Sequence, residues 1–279
     1  MIRRTFDSKG IDYASEITLK NVQDLEKIVS WNILNGYKFF RITSNLAPWK
    51  SEYEWDDLKD IKQIRIYLRS AGIMAKTHGI RLTSHPGPFN VLTSPHEHVV
   101  ENCIGDLTMH GDVFDMLGQG RTHYNKINIH IGGAYGDKPK SMERFCKNFE
   151  RLPDRVKSRL TVENDDKQSM YSVQELYHGV YSNIGVPIVF DYHHHRFCDG
   201  GLSEQEALEL AISTWPKGIT PVVHYSESRS AEQLDQTIRP QAHSAYVYDK
   251  INTYGNDIDI MIEAKHKELA VARYLELHG

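Results

Sequence analysis

Seven short runs of β-branched or aromatic residues each end on a histidine, a carboxylate or a small polar residue, and this repetition leaves few architectures open. The runs occupy residues 37–43 (YKFFRIT), 79–85 (GIRLTSH), 126–130 (KINIH), 159–163 (RLTVE), 187–191 (PIVFD), 220–224 (TPVVH) and 259–263 (DIMIE). Each reads as a buried strand. The segments between them carry helical periodicity, over 18–35, 55–77, 95–117, 141–156, 172–181, 203–215, 231–248 and 264–277. Alternating strands and helices predict an α/β fold of the TIM (β/α)8 barrel type, in which the carboxyl ends of all strands converge on one face. Seven strands are one short of a closed barrel, so the first strand is expected to be missing or shortened.

The strand ends then gather His85, His130, Glu163, Asp191, His224 and Glu263 into one cluster. Imidazoles mixed with carboxylates are the donors that divalent zinc, manganese or iron require. Phosphodiester hydrolysis is one chemistry that such a cluster can serve. Two divalent ions ~3.5–4 Å apart activate water, neutralise the non-bridging oxygens and stabilise the departing oxygen. A carboxylate can bridge such a pair through its two oxygens, and Glu163 ends a mid-chain strand where it could do so.

At 279 residues, with 40% hydrophobic residues, the chain suits a single barrel domain over 1–279. Cys103, Cys146 and Cys198 lie far apart with no CxxC pair, which argues against a disulfide framework and against a thiolate zinc site. No run approaches the ~20 apolar residues of a membrane helix, and the amino terminus lacks an apolar signal core. A soluble intracellular protein is expected. The net charge of −4 argues against a strongly basic nucleic-acid surface, yet bound cations would reverse the local sign at the barrel mouth.

Other histidines read differently. His110 falls on the apolar stripe Val100, Cys103, Leu107, Phe114, Leu117 of its helix and reads as a core residue. His96, His98, His123 and His266 have no strand-end position and read as surface or loop residues. Of the run His193, His194, His195, only one or two can face a metal, because successive side chains diverge. The loop GGAYGDK (132–138) follows His130. Its glycines permit close backbone approach and Lys138 offers a positive charge, which fits a phosphate contact, although a simple turn explains the glycines nearly as well. Tyr135 and Lys138 are its DNA-contact candidates, with Lys265 and Lys267 weaker ones.

The motifs WNILNGYKFFRITSNLAP (31–48), SHPG (84–87), HIGGAYGDK (130–138), VEND (162–165), FDYHHH (190–195), VHYS (223–226), AHS (242–244) and MIEAKHKE (261–268) occur in this order. Together they resemble the ultraviolet damage endonuclease family, a branch of the barrel superfamily that includes endonuclease four and xylose isomerase. The resemblance runs from about residue 18 to 277. It implies that Glu163 bridges two metals, with His85 and His130 on one side and Asp191, His224 and Glu263 on the other. His194 and His243 would belong to a third site.

Four departures from the family pattern stand out. Val222 replaces a lysine whose carboxylated form binds metal in relatives, and Ala245 stands where an acidic residue tends to follow the AHS pair. Two firm divalent ions, manganese by family or zinc as an alternative, and a weak or absent third are therefore expected. Pro88–Phe89 replaces a glutamine–tyrosine pair that probes the damaged duplex. The family's amino-terminal strand motif is absent.

The resulting expectation is a metal-dependent DNA repair endonuclease acting on damaged double-stranded DNA, with no membrane and no obligate protein partner. It would cut the phosphodiester 5′ to ultraviolet photoproducts, and abasic sites as a further class, leaving a 3′-hydroxyl and a 5′-phosphate. Activated water would be the nucleophile, with Glu163, Asp191 and Glu263 as the catalytic carboxylates. Rival readings are a metal-dependent sugar isomerase or epimerase of the same superfamily, and a degenerate relative that binds lesions without cutting.

Overall fold

The computed structural model describes residues 1–279, which form two compact units: Met1–Gly132 with Lys147–Leu160, and Gly133–Cys146 with Thr161–Gly279. In both units the strands follow chain order, and every registered pairing is parallel.

The first unit opens with α1 (Arg3–Leu34), followed by β1 (Phe39–Ile42), α2 (Ile61–Thr77), β2 (Arg81–Ser84), α3 (Glu97–Leu117) and β3 (Ile127–Ile129). Helix α1 starts well ahead of residue 18. It bends at Gly10, whose φ of 68° and ψ of −166° lie outside the helical region and suit a residue without a Cβ. Phe39 registers with Arg81, and Ser84 with Ile127. All of β2 and β3 is buried, as parallel strands covered on both faces should be. Helix α3 buries the expected stripe, Val100, Cys103, Leu107, Phe114 and Leu117, and His110 is buried with it. Its Nε2 lies 3.9 Å from Asp106 Oδ2 one turn away, and burial lowers its pKa, so the core reading of His110 holds.

Two buried arginines tie strand starts to the surrounding loops. The Arg159 guanidinium donates to the carbonyls of Gly120, Arg155 and Gln119 and to Asp115 Oδ1 at 2.8–3.0 Å. Arg81 donates to the carbonyls of Tyr124 and His123. Their charges stay buried because carbonyl and carboxylate oxygens replace water around them.

The second unit carries β4 (Leu160–Glu163, from Thr161 onward), β5 (Ile188–Asp191), β6 (Val222–Tyr225) and β7 (Asp259–Ile262). Glu163 registers with Val189, Asp191 with His224, and Tyr225 with Ile262, so the end of β4 lies two residues short of the end of β5 while β6 and β7 end level. Two helices of this unit start with a capping box. Ser172 exchanges hydrogen bonds with Glu175 ahead of the helix Val173–Leu176, and Ser203 with Glu206 ahead of Glu204–Ser213.

Two helical expectations need correction. The segment 141–156 is split into Lys138–Phe149 and Asp154–Lys157 around Pro153, which lacks the N–H a continuous helix needs. The segment 231–248 is not a helix. Only Arg229–Glu232 is helical, and Leu234 then takes a φ of 52°. Beyond it Asp235 Oδ1 accepts from both the N–H and the hydroxyl of Thr237, and Pro240 prevents a restart. No helix in the chain is long and apolar enough to cross a membrane. All three cysteines are free.

Candidate metal centre

The second unit gathers six of the eight expected ligands. Glu163 closes β4, Asp191 closes β5, His224 lies near the end of β6, and Glu263 directly follows β7. His194 sits in the short helix Tyr192–His195 that leaves β5, and His243 forms an isolated antiparallel bridge with Ser228.

Glu163 divides its carboxylate between two imidazoles: Oε1 lies 3.4 Å from His194 Nδ1, and Oε2 lies 3.1 Å from His224 Nδ1. Glu263 repeats the arrangement. Its Oε1 is 3.2 Å from His224 Nδ1 and its Oε2 is 3.7 Å from His243 Nδ1. Potential ligand atoms of Glu163, Asp191 and His194 all lie within 4.8 Å of one another. The centre of the set is deeply buried, with Asp191 and His224 at 0% exposure and Glu163 at 1%, while His194, Glu263 and His243 are partly exposed.

Three carboxylates drawn together away from water raise one another's charging cost. Burial pushes the Asp191 carboxyl up to about 7; His194 opposes the rise while Glu163 and Glu263 add to it. Asp191 Oδ2 is buried and accepts no hydrogen bond. A donor set of this kind fits a divalent cation, which would supply the missing positive charge.

Asn164 was given no role by sequence, yet it fixes the geometry around Asp191. Its side-chain amide donates to the Asp191 carbonyl at 3.0 Å, and its side-chain oxygen accepts from the Asp191 N–H at 2.8 Å. Its own carbonyl lies 2.9 Å from His194 Nδ1. A carbonyl can only accept, so that nitrogen carries the proton and Nε2 keeps the lone pair. Asp191 Oδ1 in turn accepts from the His194 N–H at 2.8 Å, capping the short helix. The available signal was the asparagine directly after the strand-terminal glutamate in VEND. Of the histidine triplet, His193 and His195 are buried against Phe197 and Phe190 respectively, and only His194 joins the carboxylates.

In the first unit His85 and His130 approach each other, with ring centroids 5.7 Å apart. His85 Nδ1 lies 3.0 Å from the Asn128 carbonyl, which assigns its proton in the same way and leaves the Nε2 lone pair for a cation. Phe89 is 86% exposed in the loop that follows SHPG. In the second unit Tyr135 is half-exposed at a φ of 49°, with the Arg144 guanidinium 5.5 Å from its ring centroid. Lys138 is engaged within the protein, donating to Glu175 Oε1 at 2.8 Å and to the Gln168 carbonyl at 3.0 Å. Val222 is fully buried in β6.

Parallel strands joined through helices, with ligand-type side chains at their carboxyl ends, define an α/β barrel of the TIM type. Solved structures agree. SacUVDE superposes with a TM-score of 0.81 at 30% identity, over 94% of this chain and 86% of that one. The D-psicose 3-epimerase of Clostridium cellulolyticum H10 shares the fold at a TM-score of 0.56 and 13% identity, over 92% of this chain and 85% of that one.

The particular family is set by sequence: residues 4–278 match the family described as UV-endonuclease UvdE, and the chain belongs to it. A UV DNA damage endonuclease of Bacillus thuringiensis subsp. konkukian (strain 97-27) is 35% identical over 278 residues, covering 95% of this chain and 83% of the relative. The UV-damage endonuclease of Schizosaccharomyces pombe is 36% identical over 276 residues, covering 96% of this chain and 45% of that longer relative.

Proposed function

We propose that this chain is a single-domain, metal-dependent endonuclease that cuts damaged double-stranded DNA on the 5′ side of ultraviolet photoproducts, with abasic sites as a second class. It leaves a 3′-hydroxyl and a 5′-phosphate, and works without a protein partner in a DNA-containing compartment. The observation that carries this reading is the gathering of Glu163, Asp191, His194, His224 and Glu263 at adjoining strand ends, a donor set suited to divalent cations. His85, His130, Glu163, Asp191, His224 and Glu263 would hold two divalent ions, manganese by family, and His194 with His243 a weaker third. Such ions lower the pKa of water and neutralise phosphate charge.

The chain's own side chains supply the rest. Asp191, closing β5 beside Glu163 and His194, would hold a cation as carboxylate and can orient the attacking water. Glu163 and Glu263 hold the imidazoles in place. Phe89 and Tyr135 offer exposed rings for bases to stack on, worth ~1–3 kcal/mol per base. Lys138 reaches a phosphate only by giving up Glu175.

The test is cleavage of a duplex carrying one cyclobutane pyrimidine dimer and labelled at either 5′ end. Manganese-dependent nicking immediately 5′ to the dimer, with ligatable 3′-hydroxyl and 5′-phosphate ends, supports the reading. Cleavage that survives exhaustive chelation, or none under any metal, removes it.

A further inference from the structure

The segment that was expected to be helical and is not carries the most water-exposed large apolar side chain in the protein. Leu234 is 92% exposed and holds a φ of 52°. A leucine in the left-handed region is strained, and such a conformation persists only where its surroundings over-determine it. They do so here. The Asp235 N–H donates to the Ser230 carbonyl at 3.0 Å, and the Ser230 hydroxyl donates back to the Asp235 carbonyl at 2.9 Å. The Glu232 carboxylate accepts from the N–H groups of Ala245 and Tyr246, which ties the loop to the segment after His243.

The base of the loop is fixed to the metal centre. Arg229 N–H donates to the Ala242 carbonyl at 2.7 Å, Ser244 N–H to the Glu227 carbonyl at 2.8 Å, and Ser228 bridges His243. Strand β6, which carries His224, feeds directly into this loop. Both acidic residues of the tip, Glu232 and Asp235, are committed to groups inside the loop. Arg229 and Arg239, by contrast, are exposed and extend no side-chain hydrogen bond or ion pair. An apolar tip in a rigid backbone, flanked by two uncommitted guanidinium groups and rooted at a metal-centre histidine, has the chemistry of a duplex wedge. Apolar side chains pushed between base steps unstack them, while arginines hold the adjoining phosphates.

We infer that Leu234 is a specificity-determining wedge that enters the DNA stack beside the scissile phosphodiester, with Arg229 and Arg239 on the flanking phosphates. The inference rests on the DNA-cleaving reading above. A rigid loop suits the task, because a wedge that had to be ordered on binding would lose part of its stacking gain to entropy.

Leu234→Gly and Leu234→Asn both suit the left-handed backbone, so the fold should survive, and the thermal midpoint of Leu234→Gly should not fall. The probe is a photoproduct duplex with 2-aminopurine next to the dimer, bound in chelator so that no cleavage occurs, with fluorescence anisotropy reporting saturation. The parent should raise 2-aminopurine fluorescence, and both variants should lose most of that rise at saturation. With manganese, the ratio of duplex to single-strand cleavage should fall about tenfold, while Leu234→Met stays near the parent. Variants that keep the parent's fluorescence rise and ratio would overturn the wedge and leave the endonuclease reading standing. A parent that cleaves no lesion-bearing DNA would overturn both.

Discussion

His224 Nδ1 lies 3.1 Å from Glu163 Oε2, and neither side chain reaches solvent. The two residues come from strands separated by β5, and their contact converts two strand ends into one binding element. Glu163→Gln removes the charge while keeping the shape. Cleavage should fall on the order of a thousandfold, as when stabilisation of transition-state charge is lost. Elemental analysis should show metal loss, and circular dichroism an unchanged fold. Metal retained in full by this variant would contradict a bridging role.

Metal stoichiometry should be two firm equivalents with a weak or absent third. Val222 is an apolar, fully buried residue that cannot ligate, and His194 with His243 leaves a third ion short of protein donors. Elemental analysis after dialysis checks this. Three tightly held equivalents would mean that another side chain supplies the missing ligand.

Lesion discrimination should be relaxed. Phe89 is 86% exposed and can stack on any base, but it has no hydroxyl with which to read an edge, and Pro88 offers no N–H. Cleavage of photoproduct, abasic and undamaged duplexes should separate more sharply for a Pro88→Gln, Phe89→Tyr double variant than for the parent. Equal discrimination by the two would place lesion reading elsewhere.

Two helical glycines should respond oppositely to alanine. At Gly105 in α3 an added Cβ meets nothing within 4 Å, so Gly105→Ala should stabilise by up to ~1 kcal/mol through helix propensity. At Gly72 in α2 the same atom would stand 1.8 Å from the Leu117 carbonyl oxygen. The strain of overpacking, ~1–3 kcal/mol, should outweigh the propensity gain. Urea midpoints should rise for the first variant and fall for the second.

Acid sensitivity should trace in part to His123, whose pKa burial lowers to about 4. The unfolded chain takes up that proton near pH 6.5 and the folded chain does not. Its contribution is therefore constant above that pH and is lost progressively as pH falls from about 6.5 towards 4. His123→Gln should lose less stability than the parent between pH 7.5 and pH 5, read as the shift in urea midpoint. Parallel loss in both proteins would assign the effect to other groups.

The strands and the chemistry at their ends were legible in the sequence, because a buried parallel strand needs a run of apolar, β-branched residues and its last side chain marks where the run stops. Every strand but β6 lies inside its expected run; β6 extends one residue further to Tyr225, so Glu163 and Asp191 close their strands and His224 stands one residue before the end of its own. The S-x-x-E spacing at Ser172 and at Ser203 is likewise a local signal, and both caps form. Tertiary structure decided what local pattern leaves open. Which member of the histidine triplet meets the carboxylates depends on the helical turn after Asp191, which directs His193 and His195 into the core and His194 toward Glu163. The grip of Asn164 on Asp191 joins two adjacent strands, and no sequence spacing encodes it. Residues 231–248 carry an apolar spacing compatible with a helix, but side-chain hydrogen bonds from Ser230, Glu232 and Asp235 compete with the helical ladder and turn the segment into a braced loop.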